Sequence, residues 1–246
     1  MAILIGTHPV TEALRAGRPL DRILVARGAG GTRLQEIIDL AREHHVALRF
    51  EERPALDRIA GTATHQGVVA LGAERRYAEL DEVAAKARLL VALDGIEDPH
   101  NLGAIIRTAC AAGADAVIVP ERRAAGLTET VAKAASGALE YLPVVRVTNV
   151  NRALEDLKER GFWIYGLDER GDEDYAGVSY NAPTALVFGA EGRGLHQMTR
   201  KHCDVLVRIP ISGRISSLNV SVAAGVVLFD WKRKSGDADK ATPGPQ

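Results

Sequence analysis

The sequence contains few of the residues on which several protein classes depend. Its 246 residues include only 2 cysteines and 4% aromatic residues, and its formal net charge is −1. Two thiols without a disulfide framework are typical of a reducing compartment. Apolar runs such as 89–93 and 220–229 are too short to span a bilayer, and the first ten residues show no secretory signal. We therefore expect a cytoplasmic protein without a membrane segment.

Common nucleotide and metal motifs are also missing. The sequence contains no G-x-x-x-x-G-K-[ST], and no G-x-G-x-x-G follows the first strand of either unit that we predict below. The glycines of residues 189–194 have a different spacing and enclose a glutamate. His196, His202 and Cys203 lie close in sequence, but zinc sites do not normally use this spacing. These absences argue against an ordinary NAD site, a P-loop and a metal site.

The cations are mostly arginine. The chain has 24 arginines and 7 lysines, and residues 1–76 contain 11 arginines and no lysine. A guanidinium group matches phosphate oxygens better than an ammonium group does, which would suit a ligand that carries phosphates. A GC-rich genome produces the same bias, and composition alone favours that explanation.

The pattern of apolar residues predicts two α/β units. We assign a first unit to residues 1–72, a charged linker to 73–88, a second unit to 89–231 and a disordered tail to 232–246. In the first unit, strand-like runs occur at 22–26, 46–50 and 67–71, with helical patterns at 32–44 and 54–59. In the second, strand-like runs at 89–93, 116–119, 143–147, 162–167, 184–188 and 205–209 alternate with helical patterns at 102–112, 127–136, 151–160 and 218–230. This alternation predicts a mainly parallel sheet with helices on both faces.

Three polar loops follow strands of the second unit, and parallel sheets bind ligands at such carboxyl ends. The first loop ends at Asn101, which we predict as the N-cap of the next helix. The second is the glycine-rich segment around Glu191. The third precedes the apolar helix 218–230, for which we predict Ser216 or Ser217 as the cap. Together the loops predict a site for adenine or ribose.

The three segments that contain these loops carry a resemblance to a known family. DGIEDPHNLGAIIRTA, LVFGAEGRGL and IPISGRISSLNVSVAAGVVLF resemble, in order and separation, the three motifs of the SpoU (TrmH-like) RNA ribose 2′-O-methyltransferases. GTHPVTEAL and THQGVVA resemble the N-terminal substrate-binding domain of the RlmB branch, which is related to ribosomal protein L30e. The likeness covers nearly the whole chain except the tail. Arg214-Ile215 departs from the pattern, which has smaller or apolar residues there.

The resemblance implies an α/β fold with a C-terminal trefoil-knotted (SPOUT) methyltransferase domain and a small N-terminal L30e-like α/β domain. It implies S-adenosylmethionine as cofactor, no metal, a homodimer, and RNA as partner, with a guanosine of 23S rRNA as target. The positions that match catalytic residues of the family are Asn101, Arg107, Glu191, Ser217 and Asn219. The positions that match its backbone contacts to the cofactor are Gly189, Ile209 and Leu218. Methylation of tRNA or of another rRNA position, and a non-catalytic role in ribosome assembly, are the alternatives.

The chemistry of the side chains limits the roles they can take. A guanidinium holds its proton too tightly to act as a base, so we expect Arg107 to stabilise the developing alkoxide and to anchor a phosphate. Glu191 and a water molecule both stay open as proton acceptors. The apolar helix 218–230 contains small residues, which indicates a subunit interface, and the family likeness places Arg107 of one subunit beside the cofactor of the other.

Overall fold

The computed structural model describes residues 2–73, 76–214 and 217–240. The chain divides into two compact units, Met1–Arg76 and Tyr77–Gln246. The division falls inside the stretch 73–88, which the sequence predicts as a linker. Part of that stretch is regular, because a short helix forms at Leu80–Ala84.

The first unit is a four-stranded sheet with helices on both faces. Its described elements are β1 (Ala2–Ile5), α1 (Thr7–Arg15), β2 (Leu20–Ala26), α2 (Thr32–Glu43), β3 (Ala47–Glu51), α3 (Arg53–Ala60) and β4 (Val68–Gly72). The strand order is β1-β4-β2-β3, with β2 and β3 parallel and the other pairs antiparallel. Successive side chains of β2 face opposite sides, so Ile23 packs in the core beneath α1 and α2 whereas Leu24 packs with Leu56 of α3.

The second unit contains a sheet of seven parallel strands. Its described elements are α4 (Leu80–Ala84), β5 (Leu89–Asp94), α5 (Pro99–Ala112), β6 (Ala116–Pro120), α6 (Glu129–Ala135), β7 (Val144–Val147), α7 (Val150–Glu159), β8 (Trp163–Leu167), β9 (Glu173–Asp174), β10 (Thr184–Gly189), α8 (Gln197–His202), β11 (Val205–Arg208) and α9 (Val220–Lys240), with a 3₁₀ turn at Ala138–Glu140. The strand order is β7-β6-β5-β10-β8-β11-β9, and every pair is parallel. The predicted α/β class with a parallel sheet is therefore confirmed.

The packing of the central strand β5 explains why its sequence is continuously apolar. Leu89, Val91 and Leu93 belong to the core on the face covered by α5, α6 and α9. Leu90 and Ala92 belong to the core on the opposite face, with α7. A strand buried on both faces has no polar alternation. Its carboxyl end therefore stands out as the place where Asp94 and the polar loop begin.

Close packing of α5 against α6 explains the glycine inside α5. A Cβ atom on Gly103 would lie 2.4 Å from Ala134 Cβ and 2.8 Å from the carbonyl oxygen of Val131. These distances are too short for any side chain at residue 103. The glycine is therefore required by helix packing.

Helix α9 is longer than the sequence predicts. It continues through Lys240, so the prediction of a disordered tail is wrong for residues 232–240, whereas residues 241–246 lie outside the described ranges. Asp230 pairs with Arg233 at 2.7 Å and with Lys234 at 2.6 Å, one helical turn later. Lys234 Nζ also donates to the carbonyl oxygens of Tyr175 and Val178, both at 2.8 Å. These contacts supply the order that the polar composition did not predict.

None of the helices in the described ranges combines the length and the apolar character that a membrane crossing requires.

Candidate active site

A cavity lies at the carboxyl ends of β8, β10 and β11, where parallel sheets place ligands. The loops that follow these three strands line it, together with the start of α9. Five of the residues selected from the sequence are among its lining, namely Gly189, Glu191, Ile209, Ser217 and Leu218. All three residues predicted to contact the cofactor thus face one space.

The loop after β10 is closed tightly by glycines. The N–H of Gly194 donates to the carbonyl oxygen of Ala190 at 2.8 Å, which folds the loop back on the strand end. A Cβ atom on Gly189 would lie 2.1 Å from the carbonyl carbon of Gly194, so no side chain fits there. Gly192 and Gly194 have φ values of +73° and +65°, which side chains disfavour. These glycines fix the position of Glu191.

Three polar side chains, one from the first turn of α5 and two from the loops before α8 and α9, form one hydrogen-bonded group. Asn101 Nδ2 donates to Glu191 Oε2 at 3.1 Å. Asn219 Nδ2 lies 2.9 Å from Asn101 Oδ1 and 3.3 Å from Glu191 Oε1, and donates to both. Asn101 is only 7% exposed, which is rare for an amide without a structural or functional partner. The group, which we call the Asn-Glu-Asn cluster, holds both carboxylate oxygens of Glu191.

Both helix caps differ from the predictions. Helix α5 begins at Pro99, and Asp98 is its N-cap, accepting from the N–H groups of His100 at 3.0 Å and Asn101 at 3.4 Å. The side chain of Asn101 is thereby left available for Glu191. Helix α9 begins at Val220, and Asn219 Oδ1 accepts from the N–H of Ser221 at 2.9 Å.

The prediction of Ser217 as cap of the last helix was therefore wrong, because helical geometry starts three residues later. Ser216, the other residue predicted for that role, lies outside the described residues, as does Ile215 of the Arg214-Ile215 departure. Ser217 instead lines the cavity.

Among the predicted site residues, Arg107 lies neither in the cluster nor in the lining of the cavity. It lies on the exposed face of α5, six residues after Asn101. Successive helical residues turn by about 100°, so six residues separate the two side chains by roughly 120° around the axis. Arg107 does not line the cavity.

An apolar surface lies on the neighbouring helix. Val222 and Phe229 of α9 are 53% and 48% exposed. Between them, Gly225 faces α5, where a Cβ on it would meet Thr108 Cγ2 at 3.6 Å. The exposed apolar residues of α9 thus adjoin the helix that carries Arg107.

Sequence reasoning missed an ion pair in the wall of the cavity. Asp168 is only 3% exposed, and its Oδ2 contacts Arg200 Nη2 at 2.6 Å. Its Oδ1 accepts from the N–H of Arg170 at 2.9 Å. The position of Asp168 directly after the strand β8 was the signal in the sequence that could have identified it as part of the site.

A second pair anchors the loop that carries Glu191. His196 binds Asp94 at the end of β5 through both its backbone N–H and its ring Nδ1, each at 2.9 Å. His202 and Cys203 take no part in this contact. Burial raises the pKa of the Cys203 thiol to about 12, so it stays protonated at neutral pH. Within the described ranges, no three His, Cys, Asp or Glu side chains are arranged to hold a metal ion.

Comparison with known families gives two matches that together span most of the chain. The family model described as the SpoU rRNA Methylase family matches residues 88–229. The model described as RNA 2'-O ribose methyltransferase substrate binding matches residues 3–78.

Individual proteins agree with these matches. The Bacillus subtilis protein YacO, named as a TrmH family tRNA/rRNA methyltransferase, is 43% identical over 237 residues, covering 94% of this chain and 95% of the relative. A Staphylococcus aureus protein of the same family name is 39% identical over 241 residues, covering 96% and 97%.

Two solved structures are also similar over most of their length. The SpoU methyltransferase AviRb from Streptomyces viridochromogenes, in complex with AdoMet, superposes with a TM-score of 0.81 at 28% identity, covering 95% of this chain and 89% of that chain. An AdoMet-bound rRNA methyltransferase from Sinorhizobium meliloti superposes with a TM-score of 0.79 at 25% identity, covering 94% and 86%.

Proposed function

The chain belongs to the SpoU family of S-adenosylmethionine-dependent RNA methyltransferases, and we propose that it methylates the ribose 2′-hydroxyl of a guanosine in 23S rRNA. The Asn-Glu-Asn cluster carries this proposal, because it places a carboxylate held by two amides at the edge of the cavity. The match of residues 3–78 to a 2′-O ribose methyltransferase substrate-binding model supports ribose as the target. The likeness of the N-terminal segments to the RlmB branch supports 23S rRNA, in the cytoplasm.

The lining of the cavity fits S-adenosylmethionine in its chemistry. Phe188, Leu167 and Ala223 provide apolar wall for an adenine ring, and the glycine-rich loop lets the ligand approach the backbone. Gly189, Ile209 and Leu218 are the residues that would hold it. When bound, the cofactor supplies a methyl group on a sulfonium whose leaving thioether is neutral, so the reaction requires no metal.

The side chains of the site would then position the hydroxyl and manage its proton. Glu191 receives the proton, directly or through a water, while Asn101 and Asn219 hold its two oxygens in place. The guanidinium of Arg107 stabilises the developing alkoxide. Ser217 lines the cavity near the cofactor residues and orients the ligand through its hydroxyl. Correct placement of the reacting atoms is the main contribution of such a site.

Assembly of the site requires a homodimer. Packing of α9 against its two-fold copy would bury Val222 and Phe229, and would bring Arg107 of the partner subunit to the cluster. The knot that the family likeness implies stays a prediction.

The dimer can be tested with two inactive variants. Arg107→Ala and Asn219→Ala proteins are mixed after subunit exchange, which mass tags verify independently. With random pairing, half the dimers are mixed and each has one intact site, so roughly a quarter of wild-type activity should return. If both residues act in the same chain, no activity returns, and the shared site is refuted.

The reaction is tested by supplying the protein with S-adenosylmethionine and either undermethylated 23S rRNA or tRNA. Nucleosides from the product are then separated by mass spectrometry. We expect 2′-O-methylguanosine from 23S rRNA. A methylated base would contradict the ribose assignment, a product only from tRNA would change the substrate, and cofactor binding without transfer to any RNA would support a non-catalytic role.

A further inference from the structure

An arginine that no motif identified is fixed in the wall of the cofactor cavity. Arg200 lies on α8 and lines the cavity together with Gly189 and Leu218. Its Nη2 contacts Asp168 Oδ2 at 2.6 Å, and the side chain of Asp168 is only 1% exposed, compared with 30% for Arg200. The buried carboxylate therefore holds the guanidinium in one position at the wall of the cavity.

The ion pair with Asp168 uses only part of the hydrogen-bonding capacity of Arg200. A guanidinium carries five N–H donors. Among the described residues, Nη2 serves Asp168, and Nε is buried without a hydrogen-bond partner. The other oxygen of Asp168 is already occupied by the N–H of Arg170. Asp168 is thus satisfied, whereas Arg200 retains donors for an additional acceptor.

We propose that Arg200 binds the carboxylate of the methionine portion of S-adenosylmethionine, with Asp168 as its positioning residue. The inference rests on the assignment of this cofactor to the cavity. An amino-acid headgroup carries one carboxylate and one ammonium, and the cavity wall offers matching charges in Arg200 and Glu169. A guanidinium is the side chain best suited to a carboxylate.

The position of Arg200 favours the cofactor over an RNA phosphate. Arg170 and Arg193 also line the cavity, but both are exposed, as expected for groups that meet a large polyanion. Arg200 is half-buried and tied to a buried carboxylate, which keeps it within reach of a ligand inside the cavity. RNA binding by Arg200 is the competing outcome of the test.

The experiment compares two ligands that differ in one group. Calorimetry measures binding of S-adenosylmethionine and of decarboxylated S-adenosylmethionine, which lacks only the carboxylate, to wild type, Arg200→Lys, Arg200→Gln and the control Lys201→Gln. Lys201 is an exposed cation of the same helix and does not line the cavity. Wild type should prefer the complete cofactor by roughly tenfold, as for a charge-assisted hydrogen bond. Both Arg200 variants should lose that preference through weaker binding of the complete cofactor, and Lys201→Gln should keep it.

The Arg200→Lys variant controls for a folding defect, because its ammonium can still pair with Asp168. It cannot at the same time bind a carboxylate with the planar, two-donor geometry of a guanidinium. The double variant Asp168→Asn/Arg200→Gln removes both charges and should also lose the preference.

Several outcomes would overturn the inference. If the Arg200 variants bind both ligands more weakly by the same factor, Arg200 only stabilises the cavity wall and does not bind the carboxylate. Unchanged cofactor binding, with weaker binding of 23S rRNA in a parallel titration of the same variants, would assign Arg200 to a phosphate. Equal binding of the two ligands by wild type would refute the inference alone, whereas binding of neither would refute the cofactor assignment as well.

Discussion

Asn219 has two structural roles that one substitution can separate. Its Oδ1 caps α9 by accepting from the N–H of Ser221 at 2.9 Å, and its Nδ2 donates to Asn101 and Glu191 at 2.9 and 3.3 Å. Asn219→Asp keeps the cap, because Asp is as good an N-cap as Asn. It also replaces the amide donor with an oxygen that faces the carboxylate of Glu191. Asn219→Ala removes both roles.

The expected magnitudes differ between stability and rate. Loss of the cap in Asn219→Ala should lower the free energy of unfolding by about 1 kcal/mol. In Asn219→Asp the free energy of unfolding should change less, since the exposed side chain of Glu191 can turn toward solvent while residue 219 still caps the helix. Two unit charges 3.3 Å apart repel by about 1 kcal/mol in water and by about 5 kcal/mol at an effective dielectric constant of 20, enough to move Glu191 out of place.

The assay pairs urea denaturation with single-turnover methyl transfer. Both variants should lose transfer by roughly 100-fold, the range expected when a proton acceptor is displaced. Asn219→Asp should nevertheless retain the stability that Asn219→Ala loses. Near-normal transfer by Asn219→Asp would show that Asn219 only caps the helix, and the cluster would lose its catalytic interpretation.

Three other substitutions or modifications test the packing around the site. Gly189→Ala should abolish cofactor binding measured by calorimetry, because its Cβ would lie 2.1 Å from Gly194, whereas Gly126→Ala, with no atom within 4 Å of its Cβ, should bind normally. Gly103→Ala should lower the free energy of unfolding by about 1–3 kcal/mol in urea titrations through overpacking of α5 against α6, and equal stability would contradict that packing. Cys203, whose pKa burial raises to about 12, should resist iodoacetamide at pH 8 in the folded protein and react after unfolding, as followed by mass spectrometry.

The inner strands of the second unit's sheet were predictable because they are buried on both faces. Continuous apolar runs such as 89–93 and 184–188 correspond to β5 and β10 within one residue at each end. The strand β1 and helix α1 were missed because a four-residue strand gives little periodicity and Pro9 interrupts the helical pattern. In those cases tertiary packing, not local pattern, decides the structure.

The errors at the helix ends have a different cause. Asp98 and Asn101 are both good caps, and the sequence contained the information to choose, since proline is favoured at the first helical position and Pro99 follows Asp98. Before α9, Ser216, Ser217 and Asn219 are all suitable caps, and composition alone does not choose among them. The wrong cap assignments hid the fact that the side chain of Asn101 is available to the cluster.

Helix α5 connects the site to the surface on which a partner would pack. Its first turn delivers Asn101 to Glu191, while its exposed face presents Arg107 roughly 120° away, so one helix does not direct both groups at the same carboxylate. Within a single chain, Arg107 therefore lies away from the Asn-Glu-Asn cluster. The exposed Val222 and Phe229 lie on α9, which packs directly against α5. The two-fold dimer proposed above would account for both features, since a partner would cover the exposed helix and bring its own Arg107 to the cluster.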